Sequence, residues 1–109
     1  VNIGDLILVP FPFADLEVKK VRPAVVVGFT KDKFQDAIIC AITSKVPSEL
    51  SEWEIFLSSK NFLQLKVDSV VKIDRITTLR NSLILQSLGK VDDPVLSAIK
   101  LKLVKFFKE

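Results

Sequence analysis

Val21-Arg22-Pro23-Ala24-Val25-Val26-Val27-Gly28, followed after a polar connection by Ala37-Ile38-Ile39-Cys40-Ala41-Ile42-Thr43-Ser44-Lys45, is the stretch that decides the fold. Each half is a short apolar run bounded by polar or turn-forming residues, the pattern of buried strands. Pro23 has no amide to donate and suits the first residue of a strand. That places the Arg22 guanidinium at a strand mouth and the hydroxyls of Thr43 and Ser44 at the end of the next strand. Arg22 and Thr43 are expected to meet there in one polar site. Gly28 permits a bend or bulge, and Thr30 to Asp36 joins the two strands.

Working outward, 109 residues suffice for one domain, spanning 1–109, with a single core. No run approaches the ~20 apolar residues that span a bilayer. The chain enters Gly4-Asp5 and a strand pattern without a basic leader or cleavage motif, so a cytoplasmic location and no membrane partner are expected. The single Cys40 lies inside an apolar run and reads as a buried thiol. With no histidine in the chain, His-based catalysis is excluded and a transition-metal site would need carboxylates alone. The net charge of +3 is modest, but the basic residues gather at Lys19-Lys20-Arg22, at Lys31 and Lys33, and near the C-terminus.

Before the deciding stretch, Leu6 to Val9 reads as a strand ended by Pro10-Phe11-Pro12-Phe13, and Ala14 to Val21 as a polar hairpin loop. After it, Trp53, Ile55 and Leu57 alternate with Glu54, Phe56 and Ser58 as in a half-buried strand. Ser58 to Val67 is ambiguous. In the strand Val70 to Ile76, Val71, Ile73 and Arg75 read as one face, and Val70, Lys72, Asp74 and Ile76 as the other. Lys72 and Asp74 therefore suggest either a functional pair or a plain surface ion pair. Leu79 to Leu83 reads as a helical turn, and Leu85 to Val91 as a last strand around Gly89. Asp93 and Pro94 read as N-cap and first residue of a closing helix. Leu96, Ile99, Leu103, Phe106 and Phe107 form its apolar stripe, with Lys100, Lys102, Lys105 and Lys108 exposed. Short strands, tight connections and one closing helix predict a small, strongly bent sheet or barrel.

Gly4-Asp5 with Leu6 to Pro12, Phe13-Ala14-Asp15-Leu16, Val21 to Val27, Ala41 to Lys45, Asp68 to Val71 with Ile73-Asp74, and Leu88 to Val91 with the terminal helix together resemble the PemK/MazF family. The resemblance runs through nearly the whole chain in order. It implies a mainly β fold, an SH3-like small β-barrel of the PemK/CcdB type with a C-terminal α-helix. It also implies a homodimeric endoribonuclease toxin that cleaves single-stranded RNA without metal or other cofactor and is silenced by a cognate antitoxin. The family's active-site Arg and Thr correspond to Arg22 and Thr43, and positions used in some members correspond to Lys72 and Asp74. The chain departs from many members in having Ile76 and Thr77 where an Arg follows the Asp, with Arg75 directly after Asp74.

The residue types suit that reaction. Attack by a ribose 2′-OH on the adjacent phosphate, giving a 2′,3′-cyclic phosphate and a 5′-OH, needs a proton acceptor, a cation for the phosphorane and a donor for the leaving oxygen. Arg22 offers a fork for two phosphate oxygens, and Thr43 a hydroxyl. Asp74 and Glu17 are the candidate acceptors. Glu17, Lys19, Lys20, Ser44, Lys45, Lys72 and Arg75 are the expected RNA-binding residues, and Phe11, Phe13, Phe34 and Trp53 the rings available for stacking bases. Two alternatives stay open: a non-catalytic toxin of the same fold that poisons DNA gyrase, and an inactive member that only binds RNA.

Overall fold

A strand flanked on both sides and largely covered on both faces is apolar along most of its length, and Ala37–Thr43, apolar as far as Ile42, is that strand. The computed structural model describes residues 1–11 and 20–109. Its elements are β1 (Asp5–Phe11), β2 (Lys20–Phe29), β3 (Ala37–Thr43), β4 (Glu54–Leu57), β5 (Ser69–Leu79), β6 (Gln86–Lys90) and α1 (Asp93–Lys108), with 3-10 turns at Leu63–Leu65 and Asn81–Leu83. The strands form one antiparallel sheet in the order β4-β5-β3-β2-β1-β6, curled into a half-barrel. This is the expected small mainly β architecture with a C-terminal helix.

Alternation along the strands builds a core on each face. Leu6, Val25, Cys40, Ile42, Leu57, Val71 and Ile73 point to the side covered by α1, where they meet Ile99. Ile7, Val9, Ala24, Val26, Ala37, Ile39 and Leu79 form a second cluster. It occupies the opposite face, since neighbours in a strand project to opposite sides.

Several boundaries differ from the sequence reading. β1 continues through Pro10 and Phe11, paired with Val21 and Lys20, so Lys20 and Val21 belong to β2 and not to a loop. Pro23 lies inside β2, opposite Leu8. The Leu8 carbonyl accepts from Leu85 on the β6 side, so the Leu8–Pro23 pair exchanges no hydrogen bond and the Pro23 nitrogen faces β3. The β2–β3 ladder accordingly ends at Ala24 and Ala41, next to the missing donor. The expected irregularity at Gly28 is present as a register shift between Val26 and Gly28. The short helical turn covers Asn81–Leu83, while Leu79 completes β5.

A kink in β5 changes its two faces. Cys40 stands opposite Ile76 and Ile42 opposite Val71, so Lys72, Ile73, Asp74 and Arg75 together face Ala41. Ile73 instead donates its amide to the Trp53 carbonyl at 2.9 Å. The extra residues break the period of two. Ile73 and Ile76 both reach the α1 side, and Asp74 and Arg75 are both exposed. Ile76 therefore does not share a face with Lys72, nor Arg75 with Ile73.

The helix begins one residue earlier than its sequence suggested. Asp92 is the N-cap, its carboxylate accepting from Val95 N at 3.0 Å, and Pro94 is the second helical residue. Ile99 is fully buried, and Phe106 packs edge-to-face on Trp53 with ring centroids 5.2 Å apart. Lys102 is half-buried and donates to the Glu52 carbonyl, and Lys105 pairs with the Glu52 carboxylate. Phe107 projects away from the sheet at 69% exposure. The packed stripe thus follows the 3.6-residue period through Phe106, and 107 falls outside it. Ile99→Ala is expected to lower the unfolding free energy in urea by about 2–5 kcal/mol. Phe107→Ala should change it by about 0.5 kcal/mol or less. Equal losses would show that the helix packs through both faces.

Candidate active site

The pairing of the strands arranges side chains into rows across the sheet. Val9 pairs with Arg22, Thr43 with Val70, and Val70 with Phe56. The β2–β3 ladder stops at Ala24 and Ala41, and two residues beyond them alternation sets Arg22 and Thr43 on the same face. Paired residues project to the same side, so one row runs Val9, Arg22, Thr43, Val70, Phe56 on the face away from α1. Glu54 and Lys72, also paired, start a second row one step along that face.

Arg22 and Thr43 are half-buried at the margin of the second cluster, where Val9 and Ala24 are fully buried. The Thr43 hydroxyl accepts the Lys45 amide at 3.1 Å, a turn that holds the oxygen while its own proton stays available for donation. Ser44 and Lys45 continue as exposed residues beyond it, and Lys20 is exposed at the start of β2. Among the sequence candidates, this brings Arg22, Thr43 and Lys72 onto one face.

Others stand apart from that row. Asp74 is exposed in the β5 kink beside Arg75, and its charge acts on the Cys40 thiol. Burial, with Asp74 second, pushes that thiol up to about 12, and its sulfur contacts the Ile73 carbonyl at 3.8 Å. Lys72 pairs with Glu54 and not Asp74, Nζ to Oε2 being 2.8 Å. Trp53 faces α1, and Phe34 lies in the β2–β3 connection at the far end of the hairpin. Phe11 closes β1 opposite Lys20. Glu17, Lys19 and Phe13 lie outside the described residues. Sequence reasoning missed Glu54 and Phe56 as members of the Arg22 face. The alternation of Glu54 and Phe56 with core residues was visible, but their neighbours across β5 were not.

An open recess at the other end of the hairpin is lined by Phe29, Thr30, Asp32, Phe34, Asn81 and Ile84. Asp32 there accepts from the Thr30 hydroxyl and from the amides of Phe34 and Gln35, with the Thr30 bond foremost in holding its carboxyl below the usual range. Its acid is thus committed to shaping the loop.

The family model for PemK-like, MazF-like toxins of type II toxin-antitoxin systems matches residues 2–107. The chain belongs to this toxin family. Among solved structures, it is similar to MazE-MazF from Deinococcus radiodurans in one crystal form, at 21% identity over 99% of this chain and 96% of that one, with a TM-score of 0.77. It is also similar to the Mycobacterium tuberculosis toxin MazF-mt6, at 17% identity over 95% and 96% with a TM-score of 0.73. An endoribonuclease in complex with its cognate antitoxin, from Mycobacterial species, matches at 14% identity over 96% and 92%, with a TM-score of 0.71. At these identities the solved structures establish the shared fold. None of the curated protein sequences matches the chain.

The Glu54–Lys72 pair also makes the site face sensitive to acid. The Lys72 hydrogen bond, reinforced by the Ser51 amide at 2.7 Å, holds the Glu54 carboxyl below the ordinary Glu range. The folded chain therefore binds this proton less readily than the unfolded chain. Stability from the pair is complete above the ordinary value of 4.5 and is lost as the pH falls through the lower folded value. Glu54→Gln is expected to be less stable than the parent protein at about pH 7, with the gap closing toward about pH 3. Urea midpoints at the two pH values test this, and a constant gap would contradict it.

Proposed function

We propose that the chain is a sequence-specific endoribonuclease toxin that cleaves single-stranded mRNA by 2′-OH attack, without a metal, leaving a 2′,3′-cyclic phosphate and a 5′-OH. The observation that carries this reading is that Arg22 and Thr43 share one sheet face, both half-buried at the margin of the second apolar cluster where the β2–β3 ladder ends. A phosphate over that edge meets a planar cation able to engage two oxygens and a hydroxyl able to donate to a third. Both charges and dipoles are fixed by strands before substrate arrives, the condition under which such groups stabilise a phosphorane most.

In this mechanism Arg22 neutralises the charge gathering on the non-bridging oxygens, and Thr43 donates to the same phosphate. The 2′-OH proton goes to a carboxylate, for which Asp74 at the kink of β5 and Glu17 are the candidates, and the leaving 5′-oxygen takes up a proton from solvent to become the 5′-OH. Glu54 is a poor choice of acceptor because Lys72 and Ser51 hold its carboxylate in the weakly basic, ionised form. Lys20, Lys45, Lys72 and Arg75, with Ser44, contact the RNA, and Glu17 and Lys19, outside the described residues, are assigned to RNA binding from the sequence alone. The solved relatives described with MazE or a cognate antitoxin support a matching partner here, one that presents acidic and apolar groups to the Arg22 mouth. Family membership supports action as a homodimer that arrests translation and growth until the antitoxin binds. No helix of the described residues is long and apolar enough to cross a membrane.

Arg22→Ala and Thr43→Val are each expected to reduce cutting of single-stranded RNA in EDTA by roughly 10²–10³-fold while leaving the far-ultraviolet circular dichroism unchanged. Arg22→Lys should recover only part of the rate, since it restores charge without the fork. Unimpaired cutting by folded Arg22→Ala would overturn the assignment.

A further inference from the structure

We infer that Phe56 is a base-stacking platform, the ring on which a nucleobase near the cleaved phosphate lies; this rests on reading the Arg22–Thr43 face as the RNA-cleaving site. Phe56 stands in the same cross-strand row as those two residues, reached through Val70. Val70 is fully buried beneath its neighbours, so the accessible parts of the row are the half-buried polar pair at one end and the ring at the other. Two paired strand spacings separate Thr43 from Phe56, about 10 Å at ~4.8 Å each, with Arg22 on the next strand beyond Thr43. A short single strand laid across β2, β3, β5 and β4 covers that span with its phosphate at one end and a splayed base at the other.

The ring is not used by the core. Ile55 and Leu57, its neighbours in β4, belong to the packing on the α1 side, whereas Phe56 is 42% exposed and belongs to neither cluster. Isolated exposed apolar residues are ordinary on a protein surface, so exposure alone carries nothing. Position decides it. Among residues whose side chains are described, the other strongly exposed rings are Phe34, at the far end of the β2–β3 hairpin, and Phe107, on the outer side of α1. Trp53 is occupied against Phe106. Phe56 is the described ring that shares the face and row of Arg22. Beside it the Lys72 side chain, 29% exposed, is neutralised by Glu54, so the positive charge near the row comes from Arg22 and from the exposed Lys45 just past Thr43. A flat apolar surface beside cationic groups is the arrangement that holds single-stranded nucleic acid, because every base has a π-face.

The test uses full-length protein and a single-stranded RNA with one mapped cut site, together with versions lacking one base at a time around that site. Phe56→Ala is expected to lower kcat/KM by roughly 5- to 150-fold, the range of one lost base stack. Phe56→Leu should behave similarly, and Phe56→Trp should stay near the parent rate. Removing one particular base should cost the parent protein the same factor and cost Phe56→Ala nothing further. If Phe56→Ala cuts the intact RNA at the parent rate, or if the missing-base penalties persist unchanged in it, the inference fails while the RNA-cleaving reading stands. It also fails if the variant loses only antitoxin binding, which would make the ring a protein contact. A parent protein that cuts no RNA would overturn the underlying reading and this inference together.

Discussion

A single curled sheet with one helix to cover it must find a second way to bury its other face. That constraint shapes most of this molecule. On the α1 side the demand is met by Ile99 and the partly buried helix residues packed over Val25, Cys40, Ile42 and Ile73. On the other side, the curl gathers Ile7, Val9, Ala24, Val26, Ile39 and Leu79 against one another. That second cluster runs out along β2 and β3 at small residues, Ala24 and Ala41. Beyond them, polar side chains can sit half in contact with apolar surface and half in water. Arg22 and Thr43 occupy that margin, and the missing amide of Pro23 keeps the ladder from closing over it.

The β5 kink answers the same constraint from the other flank. A long strand bent around a small core cannot keep both its register and its alternation, and here the surplus residues collect opposite Ala41. The kink puts Asp74 and Arg75 into solvent and sends the Ile73 amide to Trp53. Lys72, just before the break, keeps its place in the β4–β5 ladder and so meets Glu54. One backbone irregularity thus separates two basic residues that follow each other closely in sequence into different electrical settings.

Much of this was legible in the chain. The apolar runs around Val25 and Ile39 are too short and too continuous for helices, and both are strands. Apolar residues at three- and four-residue steps announced α1, although Pro94 pointed to Asp93 as the cap, whereas the carboxylate that accepts the Val95 amide is that of Asp92. The faces of β5 were misread because a strict period of two was assumed through a segment whose kink depends on β3. Proline at positions 10 and 12 suggested an early end to β1, yet position 10 is tolerated within the ladder opposite Val21. Arg22 and Thr43 could be singled out because each bounds an apolar run and the two together match the active-site positions of the family the chain resembles. Glu54 and Phe56 could not, because their neighbours on the site face lie on a strand well over ten residues away and become adjacent only through pairing.

Cys40 carries the only sulfur in a chain that also lacks methionine. It is fully buried in the middle of the sheet, with its thiol pushed up to about 12. Because the thiolate is the reactive form, this atom is close to inert toward alkylating reagents at neutral pH while the sheet stays folded. The protein is therefore naturally silent to thiol chemistry. A cysteine introduced at any exposed position can carry a single fluorophore or spin label without removal of the native one, and slow labelling of Cys40 itself reports how often the sheet opens.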